Sequence, residues 1–473
     1  MVGWSMVDDG LMMQDTGKKT VNLALTLGAD EAESFLVDKE VITIRIADAQ
    51  IMEAKGIREQ GLALRIVKKK SIGAAGTSIF DEEHLAASAG DAISSASLME
   101  SKTEWRSLPK PSSVTPVEGC YDDRIGKLGM EECIDIARRM LDSAMQFKKV
   151  TSVSGSLHVV REDVYLGNSN AIDLQDRGTY IVGNINADAR VAGSDAINGT
   201  VSGVGFRAAR SLGSFDPESI GHDAGDMAAR STDAKKCEEG TYSVIFEPYA
   251  LGELLSFVFA YNFNAKHYQD RRSCLYGKLG DKVAVDRFTL RDDPRARDCL
   301  GSKPFDDEGV PTSTMDLIRN GIFRGIIYDT FYAAKDNADS TGNASRAGYP
   351  VGRSAEPIPF PSVHNIVVGS GDHSRDEIIR DTKSGLLVGR LWYTYPVNPE
   401  KGDFSCTARS GIFAIKDGEI VEACRMVRII DNLKRLLMSI SAVGKERKHI
   451  LQWHALPSVT PPLRVDGIRI TPV

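Results

Sequence analysis

Apolar and polar positions alternate along this chain with two different periods. Residues 15–28 carry Val21, Leu23, Ala24, Leu25 and Leu27 with a helical repeat, and Gly28 supplies a stop. EAESFLV and VITIRIA then read as two strands, since Ile42, Ile44 and Ile46 alternate with Thr43 and Arg45. GLALRIV (61–67) and SIGAAGTS (71–78) form a hairpin pattern whose turn is Lys68-Lys69-Lys70. Asp81 is a fitting N-cap for a helix over 82–98. Prolines and serines at 107–116 predict an extended crossing segment. The helical stripe Cys133, Ile136, Ala137, Met140, Leu141 and Ala144 follows in 129–146. Segments 151–160, 163–174, 179–191 and 199–208 read as an antiparallel meander, and 216–231 as a helix capped by Asp216 with Pro217 in its first turn.

From TYSVIFE onward the pattern is mostly strands and long loops. KDGE (416–419) is a hairpin turn, and 431–444 a helix stopped by Gly444. Runs of strands with interspersed helices, without regular βαβ alternation, predict an α+β fold. We expect two domains: 1–237, an antiparallel sheet with flanking helices, and 238–473, mostly β with long loops. A length of 473 residues suits roughly two to three domains.

Charge and composition narrow the function. A net charge of −7 without a long basic run disfavours a nucleic-acid surface. Seven scattered cysteines without a CxxC pair suit a reducing compartment. The N-terminal stretch has Asp8 and Asp9 in place of a basic region, and no apolar run is long enough to span a membrane, so a cytoplasmic location is expected.

Candidate chemistry sits in polar loops. Asp306-Asp307-Glu308 offers oxygen ligands for a hard cation but reads first as a solvated turn. STGNASR offers successive backbone N–H groups to an anion, with Arg346 completing the pocket, or else caps a neighbouring element. Glu446, His449 and His454 are close in sequence, but the two histidines are five apart and project differently on a regular helix, so a surface cluster is the plainer reading. Cys406 reads as a loop cysteine without a base beside it. GxSxG, the P-loop and the dinucleotide fingerprint are absent in useful contexts.

A resemblance goes further. ALTLGADEAESFLVDKE followed by GLALRIV, and then SCLYGKLGDKV, LRDDP, GSKPFDDEGVPT, STGNASR and KGDFSCTARSGIFAIKDGEI, resemble the TldD/PmbA family in order and spacing over nearly the whole chain. The resemblance implies a cytoplasmic peptidase system of two chain types. TldD-type chains carry a zinc-binding HExxxH helix and a later cysteine. PmbA-type chains, also called TldE, share the fold without these ligands. The two pair to trim unfolded peptides, including a gyrase-directed antibiotic precursor, hence "modulator of DNA gyrase". In GELLSFVFAYNF (252–263) the resemblance places Ser256 and Tyr261 where the histidines would stand and Phe257 in place of the glutamate. Ser, Phe and Tyr supply neither the ligand set nor the base such a peptidase needs. No histidine lies between 223 and 266, and HILQWHALPSVTPPLRVDGIRI has no cysteine.

The expectation is therefore a metal-free, PmbA/TldE-type chain, not catalytic alone, with no cofactor of its own. Its partner would be a zinc-bearing TldD-type subunit or a second copy, its ligand an extended peptide. Asn343, Arg346 and Asp403 are the expected polar cleft residues. Two alternatives stand beside this: a homo-oligomeric peptide-binding scaffold, and an independent metallopeptidase built on Glu446, His449 and His454 or on Asp306-Asp307-Glu308.

Overall fold

The computed structural model describes residues 6–191, 199–454 and 456–473. The fold is α+β, with a closed β-barrel in the C-terminal half. Helix α1 (Met6–Thr26) leads into strands β1 (Glu31–Ala47), β2 (Gln50–Lys68) and β3 (Ser71–Thr77), then helix α2 (Glu82–Leu98). Asp81 caps α2 by accepting the His84 backbone N–H at 2.9 Å. The crossing segment leads to a short turn α3 (Asp123–Gly126) and helix α4 (Met130–Met145), whose whole apolar stripe is buried. Strands β4 (Val150–Asn168), β5 (Asp173–Arg190) and β6 (Thr200–Ala209) complete one antiparallel sheet in the order β3-β2-β1-β4-β5-β6. Helix α5 (Pro217–Arg230) closes the face of β6, and Asp216 accepts from Ser219 N–H as its cap.

The two strands expected over 31–47 are one. The charged centre Asp38-Lys39-Glu40 does not break β1, because each charge finds a partner. Arg58 binds Asp38, Arg161 binds Glu40, and buried Lys39 donates to the Val351 carbonyl at 3.1 Å. The lysine turn stands where expected, with Lys69 and Lys70 both at positive φ.

β7 (Gly240–Phe246) starts the barrel. It pairs with strands 384–398 and 463–472, the latter with 427–432, that with 403–416, and 403–416 returns to 384–398. Val244, Phe246, Leu386, Phe404, Val427 and Val465 share its core. Three expectations change here. NPEKGDFSCTARSG is the turn and second strand of this hairpin rather than a loop, so Cys406 is a fully buried strand residue. The helix expected over 431–444 ends at Met438, and Ile440–Val443, β-branched at both ends, pairs with 463–465 instead. Among the described residues no helix is long and apolar enough to cross a membrane.

Candidate functional site

The stretch GELLSFVFAYNF folds as three joined helical pieces. α6 (Pro248–Leu254) starts with Pro248 in its first turn, which costs nothing because that N–H has no helical partner. Leu255–Phe259 then opens into a π turn, and Ala260 N–H donates back five residues to the Leu255 carbonyl. A 3₁₀ turn over Ala260–Phe263 ends the run. Leu254, Leu255, Val258 and Phe259 are buried in the core shared with the barrel.

The π turn matters to the chemistry. Ser256 and Tyr261 are five apart, the spacing that a π turn rather than an α turn brings into line. Ser256 and Phe257 lie in the π turn and Tyr261 in the 3₁₀ turn that follows, and each side chain makes a packing or hydrogen-bond contact of its own. Ser256 Oγ donates to the Leu456 carbonyl at 3.5 Å. Phe257 turns its ring into a cleft. Tyr261 stacks on His267 with centroids 3.7 Å apart. The Tyr261 hydroxyl and His267 Nδ1 are both buried without a hydrogen-bond partner. They do not amount to a zinc site. Burial, then the charges of Lys266 and Arg272, hold the His267 pKa below its ordinary value, and the same cations repel a dication. Among the described residues no cluster of three His, Cys, Asp or Glu side chains could hold a metal. The residues present do not fit zinc.

The segment expected to lack a cysteine packs against this helix. Gln452 Nε2 donates to the Tyr249 carbonyl at 2.6 Å, and Trp453 Nε1 donates to Glu253 Oε2 at 3.4 Å. Together they wall an open cleft of about 240 Å³ lined by Glu253, Phe257, Trp392, Tyr393, Thr394 and Trp453. Glu253 is 1% exposed, and its Oε1 accepts the Thr394 hydroxyl at 2.7 Å. Burial raises its pKa, with the Thr394 and Trp453 hydrogen bonds and the Arg390 charge pulling the other way. Arg409 lies 3.7 Å from the Trp392 ring centroid and Arg390 4.8 Å. Glu253, the one acid of the stretch, thus forms part of an aromatic cleft whose Trp392 ring carries two arginines. Sequence reasoning passed over it; the only available signal was a carboxylate inside an apolar run.

A groove runs from the other end of α6. Cavities of about 540 Å³ and 350 Å³ follow edge strand β6, and both are lined by Gly411 of the barrel. Tyr249, Phe206, Ile450 and Phe413 give the larger one an apolar floor.

The polar loops serve another purpose. Asp306, Asp307 and Glu308, expected as a solvated turn, are each 0% exposed. Asp306 accepts backbone N–H groups of Glu308, Val310 and Ala344. Asp307 is paired with Lys303 and Arg353, each at 3.0 Å, and Glu308 with Arg65 at 2.6 Å. Arg65 and Arg346 converge on Glu33, and Arg353 on Glu162 and Asp176. The result is a buried ionic seam joining β1, β2, β4 and β5 to loops 303–312 and 339–353. Glu33, Arg65, Glu162 and Arg353 were not singled out from sequence.

Arg346 is 1% exposed, its guanidinium stacked over Phe35 and bonded to Glu33 and to the Glu356 and Asp307 carbonyls. Asn343 is 2% exposed and donates to Asp292 and to the Ser362 carbonyl. The cavity beside them, about 80 Å³, is lined by Ser345, Ala347, Lys303 and His364 but by neither of these two. Asp403 is apart from both, half-buried at the barrel hairpin, where it accepts from Asn432 Nδ2 at 2.8 Å. His449 is half-buried on the strand Lys448–Leu451; the side chain of His454 lies outside the described residues.

Three domains known from other proteins match this chain in order: PmbA/TldA metallopeptidase domain 1 over residues 32–96, the central domain over 123–232 and the C-terminal domain over 239–472. A metalloprotease of Methanothermobacter thermautotrophicus is 27% identical over 423 residues, 85% of this chain and 86% of that protein. A metalloprotease PmbA homolog of Buchnera aphidicola is 26% identical over 259 residues, 53% of this chain and 52% of the other. The crystal structure of TldE from Thermococcus kodakarensis has the same fold, with a TM-score of 0.86 at 23% identity over 96% of this chain and all of that one. The chain belongs to the PmbA/TldD metallopeptidase family.

Proposed function

We propose that this chain is the metal-free, PmbA/TldE-type subunit of a cytoplasmic peptidase complex, paired with a zinc-bearing TldD-type chain or with a second copy, and acting on extended peptides. The observation that carries the reading is that Ser256, Phe257 and Tyr261, at the positions the resemblance gives to the zinc ligands and base, are a serine bonded to the Leu456 carbonyl, a cleft-lining phenylalanine and a tyrosine stacked on His267, which offer no metal-binding chemistry. The groove along β6 supports a role in admitting peptide, because an edge strand offers main-chain hydrogen bonds to an extended ligand. Asn343, Arg346 and Asp403 remain our proposed polar cleft residues; Arg346 seats its loop through the buried seam and Asn343 through Asp292 and the Ser362 carbonyl. Units 1–237 and 238–473 are our division of the chain.

The test is peptide turnover by the purified chain, alone and with an HExxxH-bearing chain from the same genome. We expect none alone and zinc-dependent cleavage from the pair. Robust zinc-dependent cleavage by this chain alone sinks the proposal. The second reading, a homo-oligomeric peptide-binding scaffold, gains if the source genome encodes no HExxxH chain.

A further inference from the structure

The seven cysteines are all free and buried, and two of them stand together. Cys237 lies between α5 and β7, in the segment that joins the central and C-terminal domains. Cys424 directly follows the strand Glu419–Ala423. The backbones are held in register there. Lys235 forms a parallel bridge with Cys424, Lys235 N–H donates to the Ala423 carbonyl at 2.9 Å, and Arg425 N–H donates to the Lys235 carbonyl at 2.8 Å. The two thiols share a hydrogen bond, and the Tyr242 hydroxyl, which donates to the Glu238 carbonyl at 3.0 Å, lies beside Cys237. Each cysteine is 8% exposed, and Cys424 lines the cavity of about 350 Å³ together with Ser231, Ala234 and Met426. That cavity gives a small solute an approach to Cys424.

We propose that Cys237 and Cys424 form a redox modification site, at which a small hydroperoxide converts the two thiols to a disulfide. The electrostatics favour the first step. The hydrogen bond from Cys424, against the cost of burial and with help from Tyr242, brings the Cys237 thiol down to about 7. The same bond holds the Cys424 proton in place. The two thiols are coupled, and the pair loses its first proton as a unit. The other five thiols have no such neighbour, and burial pushes each of them up, Cys133 and Cys274 to about 11 and Cys299 to about 12.

The chemistry balances without a metal or cofactor. The thiolate attacks the outer oxygen of the hydroperoxide, the O–O bond breaks, and a sulfenic acid forms with release of alkoxide. The alkoxide takes the proton of the second thiol and leaves as alcohol. The second sulfur then attacks the sulfenic sulfur and displaces hydroxide, which leaves as water. Two thiols and one peroxide give one disulfide, one alcohol and one water. The crosslink fastens the interdomain segment to the barrel beside the groove along β6.

The test uses the reduced full-length chain with hydrogen peroxide. Thiols are counted after denaturation, and peptides are mapped without reduction. We expect loss of two of the seven thiols, a crosslinked pair containing Cys237 and Cys424, and full recovery with dithiothreitol. Retention of all seven thiols, or a disulfide elsewhere, overturns the proposal. The variants C237S and C424S should each give a dimedone adduct on the cysteine that remains and no crosslink. A variant that still loses two thiols reversibly refutes the pairing. The wild-type map decides the matter even where a variant fails to fold.

Discussion

Arg346 and Glu33, 313 positions apart in the chain, meet at 2.7 Å with both side chains sealed from water. Glu33 also receives Arg65, which reaches on to Glu308. Burial alone would raise the Glu33 pKa, but the two guanidiniums outweigh it and hold it below its ordinary value. Removing Arg346 leaves buried Glu33 with Arg65 alone and takes a donor from the Glu356 and Asp307 carbonyls, a cost of about 3–5 kcal/mol. Arg346→Met should therefore lower unfolding free energy in urea by that amount. The double variant Arg346→Met with Glu33→Gln should lose less than the two single losses combined, and strict additivity would show that the pair is not coupled.

The same site sets an acid limit. A carboxyl whose folded pKa lies below its unfolded value of 4.5 contributes stability above that value. The contribution fades as pH falls from 4.5 through the folded pKa. Wild type should lose stability on acidification more steeply than Glu33→Gln over this window. Thermal melts at a series of pH values measure the difference, and parallel profiles would exclude Glu33 as a contributor.

Much of this fold was legible from period alone. α2 and α5 start at the expected caps because Asp81 and Asp216 supply side-chain acceptors that the local sequence displays openly. The hairpin at the lysines was equally plain. The ionic seam was not, because the pairs that tie the sheet to the loops, such as Arg346 with Glu33 and Arg65 with Glu308, join segments far apart in the chain, and local pattern reports only that a charge is present. Asp306-Asp307-Glu308 looked solvated because three adjacent acids usually are; only the arrival of Lys303, Arg65, Arg353 and the backbone N–H groups reverses that. The altered helix at 256–261 could be read as lacking ligands, but its π turn over 255–259 is a backbone feature no residue type announces. Glu253 was hidden for the opposite reason: its neighbours Thr394 and Trp453 come from two distant segments.

Two glycines with opposite surroundings separate packing from propensity. A Cβ on Gly205 in β6 would lie 1.8 Å from the Ile220 carbonyl oxygen of α5, so helix and sheet must part. Gly205→Ala should destabilise by about 3 kcal/mol, the upper range for overpacking, because the obstacle is backbone. Gly90 in α2 has nothing within 4 Å of its would-be Cβ. Gly90→Ala should stabilise by about 0.5–1 kcal/mol through helix propensity. Denaturant midpoints of the two variants check both signs. A neutral Gly205→Ala would mean that α5 does not sit on β6 as closely as described.

Glu253 offers a pH signature of opposite sign to Glu33. Its carboxyl is buried without a direct ion pair, so burial raises the folded pKa above the unfolded value of 4.5. Below 4.5 the group is protonated in both states and the penalty is absent. As pH rises through the folded pKa, ionisation in the cleft costs stability, and the full cost is present above it. Glu253→Gln retains an acceptor for the Thr394 hydroxyl and cannot ionise. The variant should therefore gain on wild type as pH climbs from 4.5 toward 8, which melts across that range would record. A constant gap between the two proteins would mean that the cleft leaves Glu253 as easily ionised as an exposed carboxyl.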